Sequence, residues 1–358
     1  MNTTETETKN GMENTPENKE QAAVAESKAK WHAHFERTIS CGGLGGIVVP
    51  PRDAIIGKWF KKGDLGFICG PRGSGKTWLA MFLARKCAEG GGTGAIPEWN
   101  IHGPRRVLYV DGEMPWDGSR ERDLALAAAG ASGLFYLQHE ALFHHTGDAL
   151  NLAEPGPQAA LLDRCRRDRI EILFLDNLSC LFYGMRENDA DAWERVLPWL
   201  LDLRRNRIAV VFVAHTGRNG LMRGTSRRED AAFWIINLSE LIDVGDARQG
   251  ARFVTKFIKN RNGTEADCPT LEWRFIKAPN DPKMHISCTT LSVPLQFRQC
   301  IEDGLVSATD IAARMGISKG HVSKHATKAI KDGWLRKKGR QYALTSEQPM
   351  AEWIRRVP

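Results

Sequence analysis

The chain has 358 residues, 42% hydrophobic and 26% charged, which is ordinary for a globular protein and long enough for one large domain or two or three smaller ones. Its formal charge of +7 points to an anionic partner without naming it. No apolar run is long enough to span a bilayer, the N-terminus lacks the basic-then-apolar order of a signal peptide, and the eight cysteines hold no C-x-x-C pair; membrane, zinc and disulfide classes are disfavoured, and a reducing cytoplasm is the expected location.

In chain order, residues 1–30, rich in Thr, Glu, Asn and Lys, hold almost nothing to bury and read as a disordered tail, with a lead-in over 31–54. From 55 to 278 short apolar runs alternate with longer helical patterns. LGFICG, RVLYVDGEM, IEILFLDN, RIAVVFVAH and GARFVTKFIKNRNG read as strands, PGPQAALLDRCRRDR and ADAWERVLPWLLDLRRNR as helices, the second interrupted by Pro198. This alternation predicts an α/β core with a mostly parallel central sheet covered on both faces by helices. Residues 279–296 read as a linker. From 297 to 358 the chain turns helical and basic and ends in two short strand-like runs around RKKGRQ, marking a second, small domain.

The sharpest motif is GPRGSGKT, which fits G-x-x-x-x-G-K-[ST] between a strand and a helix whose Leu79, Phe82 and Leu83 share one face. Gly70, Pro71, Arg72, Gly73, Ser74, Gly75, Lys76, Thr77 and Trp78 are the candidate cradle for the phosphates of ATP. In such a turn successive backbone N–H groups converge on the anion, and the positive end of the helix adds to the attraction. Lys76 is expected to reach the β- and γ-phosphates, and Thr77 to place its hydroxyl on Mg2+.

Three further signals stand at strand ends, where ligands gather in open α/β sheets. Glu113 in LYVDGEMP has the chemistry to orient and deprotonate an attacking water. Asp176 in EILFLDN ends an apolar run and is placed to hold Mg2+ through water, with Asn177 beside it. His215 in VVFVAHTGRNG leaves a buried strand for a polar loop, where it can bond the γ-phosphate. Taken alone, each has a plainer reading as a solvated turn, a chance apolar-Asp run or a structural histidine; their order behind the phosphate loop favours chemistry.

In that order GPRGSGKT, DGEMP, LFLDN, AHTGRNG, RGTSRREDAAFW and KNRNG resemble the RecA-like core of hexameric replicative helicases, the DnaB class and above all the smaller plasmid RepA-type ATPases, over residues of about 55–278. The resemblance implies that Glu113 is the catalytic base and that His215, where many relatives carry Gln, is the γ-phosphate sensor. It implies a homo-hexamer in which Lys259 and Arg261 reach the neighbouring subunit's ATP as piston and arginine finger. It also implies that Arg218, Arg223, Arg227 and Arg228 line the ring channel and hold single-stranded DNA by its phosphates.

The segment SATDIAARMGISKGHVSKHATKAIKDGWLRKKGRQYALT resembles a winged helix-turn-helix. Thr309 begins one helix, Gly316 makes the turn, and Ile311, Ala312, Met315, Ile317, Val322 and Ala326 have the spacing that packs two short helices together. Lys319, His321, Ser323, Lys324 and Lys328 would then meet duplex or forked DNA, with Arg336, Lys337, Lys338 and Arg340 in the wing. With only a short stretch before the core, the bulky N-terminal primase-binding domain of cellular relatives is expected to be absent, which would fit a plasmid, phage or integrated element. The expected function is an ATP-dependent DNA helicase or translocase in replication of such an element. The alternative is a RecA-like ATPase acting as a DNA-bound regulatory or assembly factor that unwinds nothing. A small-molecule kinase would explain the phosphate loop but none of the arginines.

Overall fold

The computed structural model describes residues 16–91, 96–126, 131–185, 190–217, 226–240, 250–277, 281–291, 293–315 and 317–345. The chain divides into two units, residues 1–51 and 52–358. In the first, α1 (Pro16–Phe35) and the short α2 (Cys41–Leu44) are the regular elements. Most of the expected disordered tail that is described is therefore helix. The segment lacks the residues for a core, as its composition implied, but its Ala, Glu, Lys and Gln are strong helix formers. From Lys19 onward every described side chain of this unit is exposed.

The second unit opens with a two-stranded ribbon, β1 (Ala54–Ile56) and β2 (Phe60–Lys61). Nine strands then form one sheet. Its parallel part comprises β3 (Leu65–Gly70), β4 (Val107–Asp111), β5 (Leu134–Gln138), β6 (Ile172–Asp176), β7 (Ala209–His215) and β8 (Trp234–Glu240). Three antiparallel strands extend it: β9 (Gly250–Asn260), β10 (Leu271–Lys277) and β11 (Met284–Thr290), in the order β11-β10-β9-β8-β3-β7-β6-β4-β5. The crossover helices are α3 (Lys76–Glu89), α4 (Trp116–Leu126), α5 (His139–Thr146), α6 (Pro155–Arg167), α7 (Leu178–Leu181), α8 (Ala190–Arg205) and α9 (Ser226–Ala231). The α/β architecture with a mostly parallel RecA-like sheet is as the sequence implied.

Side-chain alternation on the strands divides the core between the two sheet faces. Phe212 and Ala214 pack with Trp193, Val196 and Leu203 of α8 on one face. Val211 and Val213 pack with Leu79, Phe82 and Leu83 of α3 on the other. Each large apolar side chain so buried contributes about 1.5–3 kcal/mol. At Gly66 of β3 a Cβ would lie 2.1 Å from the Trp234 ring, so glycine is what lets that indole lie over the strand. The sheet also reaches further than expected: residues 284–290, within the segment read as a linker, form β11 and pair along all of β10. Helix α8 continues through Pro198, which lies at an exposed position of the helix, where water can replace the helix bond that proline cannot make.

The C-terminal part consists of α10 (Val293–Glu302), α11 (Ala308–Met315), α12 (Lys319–Lys331) and a hairpin of β12 (Leu335–Lys338) and β13 (Gln341–Leu344). Phe297, Ile311, Met315, Val322, Ala326 and Tyr342 share its own small core. The expected first helix begins one residue before Thr309, and the turn residue Gly316 lies outside the described residues. Among the described residues no helix is long and apolar enough to cross a membrane.

Candidate active site

The strand β3 lies in the middle of the sheet and runs directly into the phosphate-loop motif. Gly73 and Gly75 have φ of 78° and 90°, a region that favours glycine. At Gly75 a Cβ would also lie 2.5 Å from the Phe253 ring. Because Gly75 caps α3 without a side chain, the first-turn N–H groups of that helix keep no side-chain acceptor. Ser74 donates its hydroxyl to the Pro71 carbonyl at 2.8 Å, and Lys76, buried, donates its ammonium to the same carbonyl at 2.6 Å. Burial pushes Lys76 below its ordinary pKa, while the carboxylates of Asp176 and Glu113 pull it back up. Pro71, Arg72 and Gly73 are exposed at the mouth of the loop. Trp78 faces elsewhere: its ring packs near Phe275 and under the Arg122 guanidinium, 5.0 Å from the centroid, so only its main chain belongs to the loop's helix.

Strands β4 and β6 are in register with Asp111 opposite Asp176, which puts two carboxylates side by side at one sheet edge. They do different work. Asp111 is buried and accepts from the N–H groups of Glu113 and Met114, both at 3.0 Å, and from the Ser119 hydroxyl, so it shapes the turn that carries Glu113. Asp176 accepts from the Tyr109 hydroxyl at 2.6 Å through Oδ2, while its buried Oδ1 has no hydrogen-bond partner among the described residues. Burial pushes the Asp176 carboxyl up to about 6; the Tyr109 and Thr77 hydroxyls oppose the shift and the Asp111 charge adds to it.

Asn177, buried after β6, donates its amide to Glu113 Oε2 and lies 3.4 Å from Nε2 of His215, so one side chain links the candidate base to the candidate sensor. Its other atom, Oδ1, accepts from the N–H of Cys180 and caps α7. Lys76, Thr77, Glu113, Asp176 and His215 are thus gathered at the C-terminal ends of β3, β4, β6 and β7. Tyr109 and Asp111 are the residues that sequence reasoning did not assign: the first reads as one more apolar strand position, although its place two residues before Asp111 puts both on the same face of β4.

Lys259 and Arg261 are elsewhere. Trp234, the first residue of β8, pairs with Asn260 and with Gly66, so the turn after β9 lies at the N-terminal edge of the parallel strands, opposite the phosphate loop. Lys259 donates to the Glu229 carbonyl, and the exposed Arg261 donates to the Asp230 carbonyl at 2.8 Å. Among the arginines expected to line a channel, Arg218 and Arg223 lie outside the described residues, and Arg227 is described only as part of α9. Arg228 departs from expectation: it is 3% exposed, with its guanidinium 5.3 Å from the Trp193 ring centroid. In the C-terminal part Lys319, His321, Ser323, Lys324, Lys328, Arg336, Lys337, Lys338 and Arg340 are all exposed, on α12 and its following hairpin.

The loop and its neighbours fit a bound nucleotide with Mg2+. The buried oxygen of Asp176 without a partner, the uncapped helix start and the buried ammonium are the features such a group would complete. Thr77 and Asp176 would hold the ion, and Lys76 with the loop N–H groups would hold the phosphates.

A family model described as an AAA domain (AAA_25) matches residues 38–220, more than half of the chain. No curated protein matches it. Among solved structures, the crystal structure of flagellar accessory protein FlaH from Methanocaldococcus jannaschii is similar over 63% of this chain and 89% of that one, with 13% identity and a TM-score of 0.42.

Proposed function

The chain belongs to the AAA_25 family of AAA domains, and from that premise we propose that this RecA-like P-loop ATPase is a DNA motor, a ring-forming helicase or translocase that replicates a mobile genetic element. Bound Mg2+ would supply charge for the phosphates. Glu113, at the rim and oriented by the Asp111 turn and the Asn177 amide, takes the proton of the attacking water as its oxygen bonds to the γ-phosphorus. The bond from that phosphorus to the bridging oxygen breaks, and Lys76 meets the charge left on the β-phosphate. His215, in contact with Asn177, registers the departure of the γ-phosphate and passes it to the loop that follows β7.

The observation that carries this reading is the separation of the two basic groups. Lys259 and Arg261 stand across the sheet from their own phosphate loop, so they serve a nucleotide only if it is held by a second copy. Turnover would then require assembly, as a ring motor requires. The exposed basic face of α12 and the hairpin after it, read as a winged helix-turn-helix, supports engagement of duplex or forked DNA.

The test is strand displacement on forked DNA by the wild type and by Lys76→Ala, with sizing in the presence and absence of ATP. The motor reading expects an ATP-dependent ring that displaces strands only with Lys76 intact. One observation favours a second reading, a DNA-bound regulatory ATPase: Arg228, one of the arginines expected to track a strand, is withdrawn onto Trp193. A pure ring that hydrolyses ATP and never displaces a strand would establish that reading instead.

A further inference from the structure

Phe233, just before β8 and 9% exposed, has three guanidinium groups around its ring: Arg52 and Arg204 each at 4.7 Å from the centroid and Arg261 at 6.0 Å. Backbone pairing fixes this cluster at the start of the parallel strands, since Phe233 N–H donates to Leu65 and Arg261 N–H donates to Phe233, both at 2.8 Å. The three arginines are not equivalent. Arg52 is neutralised by the buried Asp64 and also donates to Asn262, which makes it part of the scaffold. Arg204, in the last turn of α8, and Arg261 are exposed, and among the described residues neither makes an ion pair, although the adjacent Arg205 takes Asp202.

Two exposed cations on one ring face, neither ion-paired among the described residues, repel each other, and the ring face offsets only part of that repulsion. Such a pair is stable in company with an anion that offers several oxygens, which is the geometry a guanidinium fork recognises. We propose that Arg204 is a second arginine, beside Arg261, that this edge presents to the triphosphate held by an adjacent copy of the chain. The inference rests on the reading of Arg261 as a residue acting across a subunit seam, and it adds a group from α8 to that seam. Arg204 then shares the charge that collects on the phosphate oxygens as the bond to the leaving group breaks, and Phe233 fixes where both guanidiniums point.

The experiment is complementation between full-length variants. Arg204→Ala and Arg261→Ala keep an intact phosphate loop, whereas Lys76→Ala loses its own site but keeps an intact basic edge. Alone, Arg204→Ala should lower kcat about 100-fold with nucleotide affinity unchanged, and Arg204→Lys, which keeps charge and stem, should recover part of the loss. Mixed in equal amounts with Lys76→Ala, each arginine variant should regain turnover at about a quarter of the seams. Rescue of Arg261→Ala but not of Arg204→Ala overturns this inference and leaves the seam reading standing. Rescue of neither overturns both. If Arg204→Ala and Arg204→Lys keep full turnover without DNA and lose only its stimulation by DNA, a nucleic-acid phosphate is the occupant and the inference falls.

Discussion

At the C-terminal edge of the parallel strands Lys76, Asp176 and Asn177 are buried, and contacts tie candidate residues to one another: Asn177 to Glu113 and His215, Tyr109 to Asp176. At the N-terminal edge Lys259 and Arg261 are half-buried or exposed and, among the described residues, bond to main-chain carbonyls, while Arg204 rests on a ring. The first edge is organised by its own side chains, with one buried carboxylate oxygen of Asp176 that has no partner among the described residues. The second carries exposed guanidiniums that, among the described residues, form no ion pair, with Asp230 and Glu229 acting on Lys259 only at a distance. In the proposed motor, a protomer with these two edges would hold half of a catalytic centre at each end, and the halves would meet between copies.

The widest consequence is a split between binding and turnover. Lys76→Ala and Arg261→Ala should both cost about 10³-fold or more in turnover, but a fluorescent nucleotide titration should find affinity lost in the first and nearly intact in the second. Loss of affinity in both would dissolve the contrast. Next in size, Glu113→Gln should slow turnover about 10²–10⁴-fold with nucleotide still bound, because the amide keeps its place beside Asn177 and cannot take a proton. Single-turnover kinetics would separate that step from product release.

A smaller effect sharpens the idea that the C-terminal edge stores electrostatic cost. With the Asp176 carboxyl raised from 3.8 to about 6, the folded, nucleotide-free protein holds a proton there that the unfolded chain releases. Stability from this group is therefore present at low pH and is lost as pH rises between those two values. Asp176→Asn should raise the stability of the nucleotide-free protein at pH 7 by about 1–3 kcal/mol, read as a higher melting temperature, while abolishing Mg2+-dependent turnover. No gain in melting temperature would mean that Asp176 is better solvated than its burial implies. The smallest effect belongs to neither edge: Lys324→Gln and Arg336→Gln should each weaken duplex binding a few-fold and lower its salt slope by about one, with DNA-free turnover unchanged.

The phosphate loop, Glu113, Asp176 and His215 were legible because each announces itself locally, as a glycine pattern or a polar residue ending an apolar run. Tyr109 was not, since a hydroxyl on a strand otherwise apolar shows its use only when the neighbouring strand's register is known. Nor was the burial of Arg228, which lies against Trp193 of the preceding helix. The sheet's antiparallel extension was missed for a related reason: the burial of β11 alternates weakly, so its residues resembled a linker until β10 paired with them. Helix α1 went the other way, with propensity supplying what composition alone denied it.

One contact joins the C-terminal part to the sheet at a telling place. The ammonium of Lys256, half-buried on β9, donates to the carbonyl of Met315, the last residue of α11, where the negative end of a helix welcomes a cation. The same strand runs on to Lys259 and ends beside Arg261. In the proposed motor, tension applied to the basic hairpin and its helices would travel along β9 to the turn that carries Arg261, a lever arm between a gripped polynucleotide and hydrolysis on the neighbouring copy.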